Sequence, residues 1–175
     1  RNLSPMDRAT LNVGMIHGGT APNIIADEVT LGVMLRNLSK ESREAMMKKI
    51  ETISNGIAES MGGSWDLAFR AGYAAVYNDE KFSDFVAATF RKYEDIIHED
   101  LGDGKPEDWL ITGEHPLLGA EDFGFYSQKA PSCMIWVGVG GNSPKHSPGF
   151  CIDERYIKLC TRAMAMTALE YLTKE

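Results

Sequence analysis

The sequence predicts a mixed α/β chain in two parts. The first, over residues 1–74, is an incomplete ferredoxin-like α+β unit; the second, over residues 75–175, is part of an α/β layer. Three observations predict this. Two alternating apolar stretches flank a glycine-rich link and lead into a long amphipathic helix pattern; composition changes after Gly72; and an apolar run, Cys133–Val139, precedes a second long helix pattern. A length of 175 residues suits one medium domain or pieces of two.

In chain order, Leu11, Val13 and Met15 alternate with Asn12, Gly14 and Ile16, and Val29, Leu31, Val33 and Leu35 alternate with Thr30, Gly32, Met34 and Arg36. Each stretch reads as a strand with one apolar face. Ser39 is a suitable N-cap with Glu41 in the first turn, and Met46, Ile50, Ile53, Ile57 and Met61 form one helical stripe closed by Gly62-Gly63. Trp65, Leu67 and Phe69 alternate as a third strand. The resulting β-β-α-β order lacks the leading strand and helix of a complete ferredoxin-like unit.

After Gly72, Phe82, Phe85, Val86, Thr89, Phe90 and Tyr93 mark a second amphipathic helix started by Asn78 or Asp79. The acidic stretch Asp95–Asp108 reads as a solvated loop, with His98 and His115 in or beside it and exposed. A short helix is expected within Glu121–Lys129, and Cys133–Val139 is expected as a central strand buried on both faces. Asp153 caps a last helix with the stripe Ile157, Cys160, Met164, Ala168 and Tyr171.

Composition narrows function before any motif is considered. The net charge of −7 argues against a general nucleic-acid binder, which needs clustered Lys and Arg. No apolar run approaches the ~20 residues of a transmembrane helix, so no membrane partner is expected. Cys133, Cys151 and Cys160 match no zinc or redox spacing and read as three reduced, mostly buried thiols in a cytoplasmic, reducing compartment. Asn2-Leu3-Ser4 and Asn37-Leu38-Ser39 match the glycosylation triplet with little weight. The chain starts at Arg1 without a Met or a signal-like stretch, so upstream residues have been removed or the chain is a fragment.

Three places can carry chemistry. The segment His17-Gly18-Gly19-Thr20-Ala21-Pro22-Asn23 joins two strands, and its glycines allow close backbone approach; a plain hairpin connection, with Asn23 bonding its own turn, explains it equally on local pattern. Arg36, on the polar face of the next strand, can grip a carboxylate with two parallel bonds or stand as a surface cation. Gly119-Ala120-Glu121-Asp122-Phe123 places two carboxylates where they can act as acid and base, bind a cation, or cap a helix. Lys145-His146-Ser147-Pro148 puts an imidazole in the loop leaving the expected buried strand, where α/β sheets gather ligands. The Val137–Ser143 run fails as a dinucleotide fingerprint because Ser143 stands at the third glycine position, and no Gly-x-Ser-x-Gly elbow occurs.

Taken together, the stretch Ile16–Val29, Arg36, Gly72-Tyr73 with Asn78-Asp79, Ala120–Phe123 and His146-Ser147-Pro148 followed by Phe150 resemble the metal-dependent amidohydrolases of the aminoacylase/carboxypeptidase clan. The branch is that of hippurate hydrolase, indoleacetyl-amino-acid hydrolase and N-acetyl-diaminopimelate deacetylase. Ala26 departs from the family's usual proline. The resemblance implies a zinc-exopeptidase-like α/β catalytic domain with a ferredoxin-like lid that dimerises. It implies His146 as a ligand of a two-metal site (zinc, manganese, nickel or cobalt), and Asn23 and Arg36 as holders of the substrate's free carboxylate. Glu121 would line the pocket, and His17 would bond within the lid or touch substrate.

The implied reaction is hydrolysis of N-acyl amino acids or related small amides by a metal-activated water, with a homodimer built through the lid. The family's general base and other metal ligands lie upstream of these motifs, and no Cys-x-His or Glu-Glu pair occurs here. No catalytic residue is therefore assigned, and the chain alone is expected to be inactive. The competing reading is a non-catalytic module for dimerisation or small-carboxylate binding.

Overall fold

The computed structural model describes residues 8–70, 72–102, 106–113, 116–141 and 143–174; Asn2–Ser4 and His115 lie outside them. The chain divides into two compact units, residues 1–75 with 115–122, and residues 76–114 with 123–175.

In the first unit, β1 (Ala9–Gly18) and β2 (Val29–Asn37) form an antiparallel hairpin, followed by α1 (Lys40–Ser60). The register runs from Ala9↔Asn37 to Val13↔Val33 and then shifts, leaving Gly14 over as Met15 pairs with Gly32. This bulge corrects the simple alternation: Ile16, opposite Leu31, joins Leu11 and Val13 on one face, and Met15 moves to the other. That other face carries Thr10, Asn12, Met15 and His17 against Arg36, Met34, Gly32 and Thr30.

Ser39 caps α1 through its hydroxyl, which accepts from the Ser42 N–H at 3.1 Å. At the far end Gly62 takes φ +75°, its N–H donates to the Glu59 carbonyl, and the Gly63 N–H reaches back to Ala58 at 2.8 Å. Two bonds in that pattern close the helix as a Schellman motif. The apolar stripe of α1 is covered only at its start. Met46 is buried, whereas Ile57 is 61% and Met61 83% exposed, because two strands are too narrow to shield a 21-residue helix.

The expected third strand at Trp65–Phe69 does not form. Trp65 and Leu67 are half-buried in alternation, but the described sheet holds β1 and β2 alone. Alternation marks which side chains seek cover; it does not supply a strand partner.

The second unit contains the core. It comprises α2 (Glu80–Lys92), α3 (Glu94–Ile97), α4 (Gly124–Ser127) and α5 (Glu154–Leu172). Asp79 and Asp153 cap α2 and α5, accepting from Phe82 N–H at 2.8 Å and Arg155 N–H at 2.9 Å. Val86, Phe90, Ile97 and Ala163 form the buried cluster, with Phe82, Phe85, Leu159 and Met166 packed around it.

Five expectations are corrected here. The acidic stretch after Tyr93 is not wholly solvated: Ile97 is 2% exposed, and Arg162 and Lys158 of α5 pair with Glu99 at 2.8 Å and Asp100 at 3.5 Å. His98 is half-buried, its ring against Trp109 with centroids 4.4 Å apart.

The face that α5 buries runs through Leu159, Ala163 and Met166, so Ile157, Met164 and Tyr171 of the expected stripe are exposed. A helix apolar on much of its circumference leaves the choice of face to its neighbours.

Cys133–Val139 forms no strand, and Trp136 is 63% exposed. Instead the Asn78 side chain acts as a partial partner, accepting from Met134 N–H at 2.8 Å and donating to its carbonyl at 2.9 Å, beside an Asp79 N–H bond to Ser132. Finally, the thiols are free but not buried: Cys133 and Cys160 are intermediate and Cys151 is exposed.

Candidate functional site

The candidate residues of the first unit ride on the hairpin. At its closed end Gly18 faces Val29 so tightly that a Cβ would stand 2.8 Å from both the Glu28 carbonyl oxygen and Val29 Cγ2. Gly19 then takes φ +79°, and Ile24 N–H bonds the Ala21 carbonyl at 3.1 Å, so Pro22 and Asn23 form the middle of a turn. The connection is thus a hairpin loop, and its turn is closed by backbone with no bond from the exposed Asn23 amide. His17 is exposed on the mixed face opposite Thr30.

Arg36 lies at the other end of the same face, paired with Thr10. Seven steps along β1 separate Thr10 from His17, about 23 Å at ~3.3 Å per step. The hairpin therefore does not bring Arg36 and His17 of one chain onto one small ligand, and Asn23 lies on the loop beyond His17. Arg36 is already engaged: its Nη1 donates to the Leu118 carbonyl at 2.7 Å, tying residues 116–122 to the sheet. One of five N–H donors is used in this way.

Glu121, half-buried, belongs to that same segment. The helix-capping alternative for Glu121 and Asp122 is not realised, since α4 begins at Gly124 with Phe123 as N-cap and no side-chain cap.

In the second unit, His146 stands at the third position of the turn Pro144–Ser147, closed by Ser147 N–H and Oγ donating to the Pro144 carbonyl at 3.2 and 2.8 Å. Its φ is +64°, and among the described residues no other non-glycine residue has a positive φ. For a residue with a Cβ that left-handed conformation costs roughly 1–2 kcal/mol, which glycine would relieve. Strain of this kind concentrates at working positions. The neighbouring Lys145 places Nζ 4.1 Å from the centre of the Trp136 ring, a cation–π contact that no sequence signal announced.

The sequence does contain one His-x-Asp pair of metal-ligand type, His98-Glu99-Asp100, within the acidic stretch. Both are otherwise occupied. His98 Nδ1 lies 3.0 Å from the Glu94 carbonyl, burial pushes its pKa below the ordinary 6.5, and Asp100 pairs with Lys158.

Among the described residues no three His, Cys, Asp or Glu side chains gather as a metal-holding group. A catalytic zinc takes three protein ligands, so the described donors do not fit a metal centre by themselves. An open depression of about 340 Å³ lined by Tyr77, Asp79 and residues 127–132 contains none of the candidate residues, and Asp79 there is spent on its cap.

Residues 3–61 match the model of the peptidase dimerisation domain. N-acetyldiaminopimelate deacetylases align along most of the chain. That of Bacillus pumilus is 31% identical over 164 residues, and that of Lactococcus lactis subsp. cremoris 28% over 165 residues, each covering 94% of this chain and 40% of the enzyme. The chain is similar to these deacetylases over part of their length.

It spans about two-fifths of the length of these relatives. The crystal structure of a proposed aminohydrolase from methicillin-resistant Staphylococcus aureus superimposes with a TM-score of 0.78 at 28% identity, over 99% of this chain and 42% of that one. A Bacillus subtilis dinuclear metal-binding M20 peptidase shares the fold, with a TM-score of 0.80 at 22% identity, over 95% and 43% of the two chains. The α/β fold class is therefore shared with these structures.

Proposed function

We propose that this chain is the C-terminal portion of a metal-dependent amidohydrolase acting on N-acyl amino acids or related small amides, with a lid over residues 1–74 and part of the catalytic domain over 75–175. The observation that carries the reading is the alignment, over 94% of the chain, with enzymes that remove an acyl group from an amino acid. In this reading the protein is cytoplasmic.

Arg36 and Asn23 hold the substrate's free carboxylate, the two coming from different copies of a homodimer because they lie at opposite ends of the hairpin, and His17 bonds within the lid or touches substrate. Glu121 lines the pocket. His146 supplies one nitrogen to a pair of divalent ions whose other ligands lie outside this chain, and its strained turn fits a working position. The ions would activate water when bound. Since the described donors do not complete that centre, the chain by itself is expected to show no turnover.

The match of residues 3–61 to a dimerisation domain keeps a non-catalytic carboxylate-binding module as the second reading. The test uses the complete gene product. Arg36→Ala is expected to weaken N-acyl amino acids by about 1.5–3 kcal/mol, the range for a bond to a charged group, while sparing their esters. His146→Ala is expected to lower bound metal; unchanged stoichiometry, together with equal losses on acids and esters, rejects the hydrolase roles.

A further inference from the structure

The mixed face of the hairpin carries more than a cation. From Arg36 it continues along β2 to Met34 and Gly32, with Thr10, Asn12 and Met15 opposite them on β1. At ~3.3 Å per residue, Met34 stands one row and about 7 Å from Arg36, and Met15 two rows and about 13 Å away. Met34 is 54% and Met15 57% exposed. Gly32 leaves a gap in its row and Met15 lies across it: a Cβ on Gly32 would stand 3.0 Å from Met15 Cβ and 3.4 Å from its sulfur. Arg36 is exposed as well, so this face sets a reachable guanidinium at one end of a low thioether strip.

We infer that Met34 and Met15 seat the side chain of the amino acid whose carboxylate Arg36 holds, and so select N-acyl amino acids with apolar side chains of several carbons. The inference rests on the carboxylate-clamp reading of Arg36 and adds a substrate preference to it. The amide of such a substrate has to meet the activated water, whose holders are not on this face, so the acyl group leaves the sheet. The side chain is the substituent left to lie along it. A carboxylate on the guanidinium with a carbon chain over the two methionines matches charge to charge and apolar surface to apolar surface. Methionine also sets the character of the selection. Its unbranched, polarisable thioether adapts to the shape laid on it, so leucine, methionine and phenylalanine side chains are accepted alike. An aspartate side chain would lose water there and gain no partner.

The experiment titrates the complete gene product, isotope-labelled at its methionine methyl groups, under chelation so that no probe is consumed. The probes are N-acetylleucine, N-acetylaspartate, N-acetylglycine and the methyl ester of N-acetylglycine, and Met34→Gln and Met15→Gln assign the two methyl resonances. N-acetylleucine is expected to shift both methyls and to bind about ten-fold or more tightly than N-acetylglycine, with N-acetylaspartate no tighter than the glycine compound. Met34→Gln should lower the leucine-to-glycine ratio several-fold. Gly32→Ala, whose methyl lifts Met15 off the strand, should lower it without introducing a polar group. The same ratios are read as kcat/KM once divalent metal is restored.

If N-acetylglycine binds no better than its ester, the clamp fails and the seat with it. If the acid is favoured over the ester while the leucine, glycine and aspartate probes bind alike, the clamp stands and the seat is overturned. If Met34→Gln weakens self-association and leaves the ratio unchanged, a second copy covers this face, which overturns the seat equally. Selective binding of N-acetylleucine without turnover after metal is restored supports the seat and rejects the hydrolase reading.

Discussion

The β1–β2 hairpin and the helical core of the second unit differ in what they do with their side chains. In the hairpin, apolar residues on both faces meet solvent, from Leu31 at 39% to Ile16 at 67% exposed, and the residues able to recognise a ligand stand beside them. In the core, Val86, Phe90, Ile97 and Ala163 are enclosed by α2, α3 and α5, and none can bind or transfer anything. Every candidate for chemistry (His17, Asn23, Arg36, Glu121 and His146) lies on a strand face, loop or turn; four are exposed, and Glu121 is half-buried. The core supplies stability, and the exposed turns and edges supply the recognition groups. Substitutions in the two regions should therefore act on different observables.

The largest effect is expected from the core. Phe90→Ala should cost about 3–5 kcal/mol, the usual range for emptying a buried aromatic site, seen as a lowered urea midpoint for loss of helical signal. Gly18→Ala sharpens the hairpin side. Its methyl would meet backbone at 2.8 Å, so a loss of about 1–3 kcal/mol is expected from overpacking, with cross-strand contacts between Gly18 and Val29 weakened in NMR spectra.

His146 should behave in the opposite sense. His146→Gly relieves a left-handed backbone and should stabilise by about 1 kcal/mol, whereas His146→Ala should not. Equal thermal midpoints for the two variants would show that the turn carries no strain.

The smallest effect is a pH slope. Burial holds His98 below its ordinary 6.5, so the folded state resists a proton that the unfolded chain accepts. Stability should fall as pH drops below about 6.5 and stop falling once pH is under the folded value. His98→Gln should flatten that slope. The hydrogen bond from Lys92 holds Glu170 below its ordinary 4.5, and bonds from Arg155 hold Asp153 below 3.8. Their contribution is present above those values and is lost only as pH falls through the lower folded ones.

The contrast also explains what could be read from residues alone. Caps were legible at Ser39, Asp79 and Asp153 because a short polar side chain before an amphipathic run has one local use. The hairpin was legible from alternation, but the bulge at Gly14 was not, since nothing local says which of two glycine-flanked pairings the partner strand will choose. Strands at Trp65–Phe69 and Cys133–Val139 failed because a strand requires a partner and the pattern cannot name one. At 133–139 the bonds at Met134 are made by the amide of Asn78, a residue 56 positions away. The α5 stripe failed for the reverse reason, having more apolar surface than its neighbours cover.

The candidate site was legible as residue types on loops and turns. Its geometry was not. That Arg36 and His17 lie at opposite ends of one face depends on register, and the Leu118 carbonyl that Arg36 grips is a backbone group invisible to any motif. The left-handed φ of His146 likewise arises from the turn around it.

The most direct test of the hydrolase reading is release of free amino acid from a panel of N-acyl amino acids by the complete gene product, before and after chelation and with divalent metal restored, beside the 175-residue chain alone. The account predicts metal-restorable hydrolysis by the complete protein and none by the chain. Hydrolysis indifferent to chelation, or none from the complete protein under any metal, would contradict it.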